Sequence, residues 1–197
     1  MKWKPSVFKL WVLVIPVLNL QAQEHKSTAL LPDHAKLQYA GNIGWLAVGA
    51  GYQNKSEKLE GDVFYGYVPE NIGGVTIQSL TVKGIWFPFS IRTGSAMEIK
   101  PFSAGLLVQY TFGKQYFGFD PENYPYEYYK FPTAFHGGVL VGGSLTKKLN
   151  TGSIRGVGLY YELVSFDTEL ISYINNTQTL SLTDVLSMGI GIQVNFK

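Results

Sequence analysis

The chain has 197 residues, 22 of them glycine and none cysteine, with 15% charged and 15% aromatic side chains. No disulfide scaffold can be built without cysteine, and the charged fraction falls well short of the roughly 25% of an average soluble domain, which argues against a surface wholly facing water. The formal net charge of +2 is local: residues 1–22 hold three of the 16 Lys+Arg and none of the 14 Asp+Glu, so the remainder carries 13 against 14 and lacks the basic patch that nucleic-acid binding needs.

The N-terminus begins with Lys2, Lys4 and Lys9, continues through an apolar stretch from Leu10 to Leu20, and reaches Ala22. A basic start, a short apolar run and a small residue before the cut form the pattern of a secretory signal peptide. Pro16 interrupts a run already shorter than the roughly 20 apolar residues of a membrane-crossing helix. The expectation is a signal peptide over 1–22 and one folded domain over 23–197. Residues Glu24–Asp33 lack strand character and read as a lead-in.

Beyond this point the pattern is one of alternation. Ala35–Gly41 is short and is the only candidate for a first strand. Ile43–Tyr52 and Asp62–Val68 are strand-like but fit either register. Leu80, Val82 and Trp86 alternate with Ser79, Thr81 and Lys83. Phe102, Ala104, Leu106, Val108, Tyr110 and Phe112 make one face, opposed by Ser103, Gly105, Gln109 and Thr111, with Leu107 an exception. Phe135, Val139, Val141 and Leu145 face away from His136, Gly138, Gly142, Ser144 and Thr146. Val157, Leu159, Tyr161 and Leu163 alternate with Gly156, Gly158, Tyr160 and Glu162. The last segment is the strictest: Leu186, Met188, Ile190, Ile192, Val194 and Phe196 occupy every second position, separated by Ser187, Gly189, Gly191, Gln193 and Asn195. Side chains alternate across a strand, so this pattern gives one apolar and one small or polar face. Its length suits the roughly 9–11 residues of a tilted membrane-crossing strand.

Four connections read as compact polar turns: Asn54–Glu60, Pro69–Gly74, Arg92–Glu98 and Lys147–Ser153. Two are long, Gly113–Thr133 and Asp167–Ser181. An eight-stranded, closed, antiparallel up-and-down transmembrane β-barrel has short turns on the periplasmic side and long loops outside. Counted back from the C-terminus, both long connections and Pro69–Gly74 fall on the outer side. A soluble barrel also alternates, but its outer face needs charge. Here the polar positions are mostly glycine, serine and threonine, which suit a crowded narrow lumen. Trp45, Tyr52, Tyr65, Tyr67, Trp86, Phe87, Phe112 and Tyr161 fall near strand ends, as in the aromatic girdles of membrane barrels.

With its leader, its alternating strands and the ending Ile190-Gly191-Ile192-Gln193-Val194-Asn195-Phe196-Lys197, the chain resembles the small eight-stranded bacterial outer-membrane barrels. That group includes porin-like stubs, adhesion-type barrels and lipid A-editing enzymes. The resemblance is architectural and covers most of the chain after the leader. It implies location in the bacterial outer membrane, with outer-membrane lipid and the assembly machinery as partners. Such barrels end on an aromatic residue; here Phe196 is penultimate, followed by Lys197.

Chemistry is sparse. There is no phosphate loop, metal-ligand spacing or serine elbow, and no cofactor is implied. The deacylase-type barrel pairs a histidine with a serine two positions on, but His136 is followed by Gly137 and Gly138. The palmitoyltransferase type uses outer-side His, Asp and Ser. The outer connections offer Asp120, Asp167, Ser165 and Ser172, and His136 falls near that rim. Lys83, Asp62 and Glu162 are expected to face the lumen, as a solute-selecting constriction or as a paired network filling a narrow barrel. Gly191 and Gln193 are expected to be tolerant lumen positions. Eight of the sixteen residues of Tyr116–Phe131 are aromatic. Tyr124, Tyr126, Tyr128 and Tyr129 in particular suggest a contact surface for an extracellular glycan or protein. The expected function is non-enzymatic: envelope structure or surface binding. A lipid A-modifying acyltransferase or deacylase and a small channel are the alternatives.

Overall fold

The structure is a computed structural model, and it describes residues 31–94, 96–113, 116 and 134–196. Residues 1–22, expected to be a signal peptide, and Tyr124, Tyr126, Tyr128 and Tyr129 lie outside them. Residues 32–197 belong to one compact unit.

Nine strands form one antiparallel sheet: β1 (His34–Ala40), β2 (Leu46–Gln53), β3 (Leu59–Val68), β4 (Ile77–Trp86), β5 (Ile91–Thr93), β6 (Met97–Phe112), β7 (Phe135–Thr151), β8 (Ile154–Phe166) and β9 (Ser187–Phe196). Their order is β4-β3-β2-β1-β9-β8-β7-β6-β5, and a further pairing of β4 with β6 closes the ring. The result is an eight-stranded closed barrel with β5 as an extra flap. Closure removes the unpaired edges that an open sheet would expose. The ring also closes between the two chain ends, with His34 opposite Asn195 and Ala40 opposite Gly189.

The short first strand is real. Its inward residues are His34, Lys36 and Gln38, all buried, so its polar side is not the small-residue kind that marks the other strands. Both ambiguous segments acquire a register as well. Val48, Tyr52, Val63, Tyr65 and Tyr67 point outward and are exposed, while Ala47, Asp62 and Phe64 point inward and are buried.

Inward volume explains this choice. A Cβ on Gly49 would lie 2.6 Å from the Phe64 ring, and one on Gly51 would lie 2.1 Å from Asp62 Oδ1 and 2.6 Å from His34 Nε2. Large lumen side chains therefore need glycine on the neighbouring strand. The same relation corrects one expectation. A Cβ on Gly191 would come within 2.4 Å of the Tyr160 ring, so that position has no room for a side chain.

Apolar residues on the outside are freely exposed: Leu106 by 69%, Leu159 by 61%, and Met188, Ile190, Val108 and Val82 by about half. The lumen holds charged residues and two apolar clusters. Leu107 is no accident of patterning, since it packs inward with Ile85, Phe87, Leu140, Val164 and Phe166. Ile43, Ala47 and Phe64 form the second cluster.

One barrel end carries the connections after β1, β3, β6 and β8; the other carries the remaining turns and the ends of β1 and β9. These are called the loop end and the terminal end. Pro69–Gly74 contains a single helical turn, α1 (Glu70–Gly73), stopped at Gly74 with φ +75°. The Arg92–Glu98 turn contains part of β5, whose Ile91, Arg92 and Thr93 pair with Ile99, Glu98 and Met97. The long connection after β8 opens with α2 (Asp167–Asn175), whose Glu169 carboxylate accepts a hydrogen bond from the Phe166 backbone N–H at 2.9 Å. Beyond it, the Ser181 N–H and hydroxyl donate to Asp184 Oδ2 at 2.8 and 2.7 Å. These bonds favour the charged form and hold the Asp184 carboxyl below its usual range.

Candidate functional site

Three polar constellations lie along the barrel axis. The first occupies the terminal half of the lumen. His34 Nε2 and Asp62 Oδ1 share a hydrogen bond of 2.7 Å. Lys36 Nζ donates to Asp62 Oδ2 at 2.7 Å and lies 2.7 Å from Glu60 Oε1. Glu60 Oε1 is also 3.3 Å from His34 Nε2, but neither neighbour is aligned with it as a hydrogen-bond donor. All four side chains are at most 3% exposed. His34, Glu60 and Asp62 could offer a metal three ligand atoms within 4.8 Å of one another. The Lys36 ammonium already supplies positive charge to both carboxylates there.

The second constellation sits at mid-height. Lys83 pairs with Glu162 across the lumen and donates to Gln38 Oε1 at 2.9 Å. Tyr160 donates its hydroxyl proton to the same oxygen at 3.2 Å. The Lys83 ammonium also stands 4.4 Å from the centre of the Phe64 ring, a cation–π distance. The sequence places Lys83, Asp62 and Glu162 in the lumen, and the structure brings all three there. Lys83 and Asp62 are register partners on adjacent strands, yet Lys83 bonds to Glu162 and Asp62 bonds to β1. Sequence reasoning missed His34, Lys36, Gln38 and Glu60; period-two spacing of polar residues in the weak first strand was the available signal.

Space along the axis is divided. A vestibule of about 360 Å³ at the terminal end reaches down to Glu60 and Gln193. Another of about 300 Å³ opens at the loop end. Near mid-height there is a void of about 10 Å³ beside Tyr160 and Glu162, room for one water at most. The terminal vestibule is roofed by the β2–β3 turn. Glu57 there receives Arg155 at 2.7 Å and Arg92 at 3.3 Å, and its carbonyl accepts from Lys100 at 3.1 Å.

The third constellation is at the loop end. His136 does lie at that rim, and its Nδ1 is 3.2 Å from Asp167 Oδ1. The other Asp167 oxygen accepts from the Gly137 N–H at 3.3 Å. Of the remaining acyltransferase-type candidates, Ser172 donates to the Thr168 carbonyl within α2. The Ser165 hydroxyl is fully buried without a hydrogen-bond partner. Asp120 lies outside the described residues. An imidazole–carboxylate pair can orient a base, but among the described residues no serine hydroxyl is hydrogen-bonded to His136.

Searches of protein-family models, of curated proteins and of solved structures return no match to this chain.

Proposed function

We propose that this chain is a bacterial outer-membrane barrel whose lumen is closed at mid-height by a structural core and whose work is done at its loop end. The observation that carries the reading is the inversion of polarity: paired charges inside, and a continuous outward band of exposed leucine, isoleucine, valine and aromatic residues. In water such a band has no stabilising partner; in a bilayer it meets hydrocarbon, and the closed ring gives every strand of the barrel a neighbour on both sides. Export through the N-terminal leader brings the chain to that membrane. There the barrel acts without catalysis, as an envelope component or a surface binder, with outer-membrane lipid and the assembly machinery as its partners. The loop end faces outward and offers the aromatic connection around Tyr124, Tyr126, Tyr128 and Tyr129 to an extracellular glycan or protein.

The Lys83 level argues against a channel, because ions would have to cross a salt bridge that is 0% and 4% exposed. The test combines extraction and conductance. The protein should partition with outer membranes, require detergent, and migrate differently on gels before and after boiling. In planar bilayers it should give no steady conductance. A fully soluble monomer without detergent would overturn the membrane reading; stable open channels would overturn the closed-lumen reading.

A lipid-modifying enzyme is the second reading, and the His136–Asp167 pair is what favours it. Mass spectra of lipid A from cells with and without the protein separate the two. An acyl chain gained or lost would establish the enzyme.

A further inference from the structure

We propose that the loop-end vestibule is a binding site for a single uncharged sugar ring. The inference is independent of the compartment, since it concerns a cavity that would exist in any environment where the barrel folds.

The vestibule's wall is built from consecutive inward positions of β4, β6 and β7. Gln109 is the register partner of both Thr81 and His136, and Thr111 is the partner of Ser79. Two of these positions are satisfied. Ser79 donates to the Ile43 carbonyl at 2.7 Å, and Thr81 donates to Gln109 Oε1 at 3.0 Å. On β6 and β7 the Gln109 amide N–H₂, the Thr111 hydroxyl and His136 Nε2 have no protein partner among the described residues. Gln109 is 7% exposed and Thr111 6%, and both line the cavity. All three groups face the open cavity rather than a protein partner, so they are free to bond to a molecule that enters it.

The chemistry of that partner follows from the lining. Across the cavity stand Asn42 and Glu169, joined by a hydrogen bond of 2.9 Å. No lysine or arginine lines the vestibule among the described residues, and the charge brought to it by Glu169, and by Asp167 behind His136, is negative. Beside these two carboxylates a phosphate or carboxylate would meet repulsion. The wall offers both donors and acceptors, while Phe166 and Ile43 supply apolar surface. That combination fits a hydroxyl-bearing ring with one apolar face, and specific pockets use just such a small number of polar groups on an apolar base. About 300 Å³ holds on the order of ten waters, or one hexose ring with a few waters retained.

The test uses the full-length protein in a detergent without a sugar headgroup, labelled with ¹⁵N at histidine. The chain has three histidines, so the His136 ring signal can be followed directly. The probes are the methyl glycosides of glucose, galactose, mannose and N-acetylglucosamine, with glucose 6-phosphate as the anionic control. A short oligosaccharide ending in the best sugar distinguishes free monosaccharide from the terminal residue of a glycan. The His136 signal should move saturably with at least one neutral glycoside, while the His34 signal stays still. Glucose 6-phosphate should bind at least about tenfold more weakly. Thr111→Val should weaken binding about tenfold, the loss of one hydrogen bond. If that variant does not assemble, the contrast between neutral and phosphorylated sugar in the native chain decides alone. No saturable shift with any of the four glycosides, or equal binding of the phosphate, would mean that the vestibule holds water only. Failure of the membrane assay above would leave this result untouched.

Discussion

Lys36 Nζ lies 2.7 Å from Asp62 Oδ2 inside the barrel, with the lysine 3% and the aspartate 0% exposed. The same ammonium serves Glu60. One cation therefore holds two buried carboxylates together, with His34 as the fourth member.

Removing that cation should be costly. Lys36→Met leaves Glu60 and Asp62 facing each other without a counter-charge, and breaking a buried pair costs about 3–5 kcal/mol. The expected result is a marked fall in refolding yield and in the temperature at which the folded gel band disappears. The vacated space should then accept a divalent cation, because His34, Glu60 and Asp62 converge within 4.8 Å. Zinc should restore part of the lost thermal stability in Lys36→Met and have no such effect on the native chain. Absence of rescue would show that the three side chains relax apart once the lysine is gone.

The mid-height pair lends itself to a double-mutant cycle. Lys83→Met and Glu162→Gln should each destabilise the barrel by several kcal/mol, since each strands a partner in a low-dielectric lumen. The double variant should recover most of that loss, because replacing both members together leaves no orphaned charge. Urea titration in detergent measures the coupling. Strict additivity would mean that the pair is not formed.

Charge placed outside and inside β9 should have opposite consequences. Ile190 is 52% exposed on the apolar face; on the proposed membrane placement an arginine there would cost about 2–4 kcal/mol if it lay near the bilayer midplane. Gln193 faces the polar terminal vestibule. Assembly in cells should collapse for Ile190→Arg and survive for Gln193→Arg. Gly191→Arg should fail as well, for the separate reason that Tyr160 fills the space. Equal tolerance at 190 and 193 would contradict the membrane placement.

Orientation can be read chemically because the chain has no cysteine. Ile174 is 70% exposed near the end of α2, at the loop end, and Ser153 lies in the exposed β7–β8 turn at the terminal end. Ile174→Cys should react with an impermeant maleimide on whole cells, and Ser153→Cys only after the outer membrane is opened. The reverse order would invert the topology, and with it the assignment of the aromatic connection to the cell exterior.

The barrel class, the alternation and the inward direction of Lys83, Asp62 and Glu162 were legible in the order of residues, while the extra strand β5 was hidden in what reads as the Arg92–Glu98 turn. The reason is local: side chains project to opposite faces of an extended backbone wherever that backbone sits. Closure of the barrel follows from the same pattern, since an apolar outer face over eight strands leaves no other way to satisfy both edges. What the order of residues did not determine was partnership. Lys83 could have paired with Asp62, its register neighbour. It pairs instead with Glu162, 79 positions away, because the lumen is narrow enough for side chains of opposite walls to meet. His34 and Lys36 looked like a poor strand until β3 supplied their counter-charges. Leu107 looked like a break in the alternation until Ile85, Leu140 and Val164 surrounded it. Gly191 looked permissive until the Tyr160 ring occupied its place. Each of these depends on how far strands are staggered around the ring, and that stagger is a property of the closed sheet as a whole, absent from any single strand.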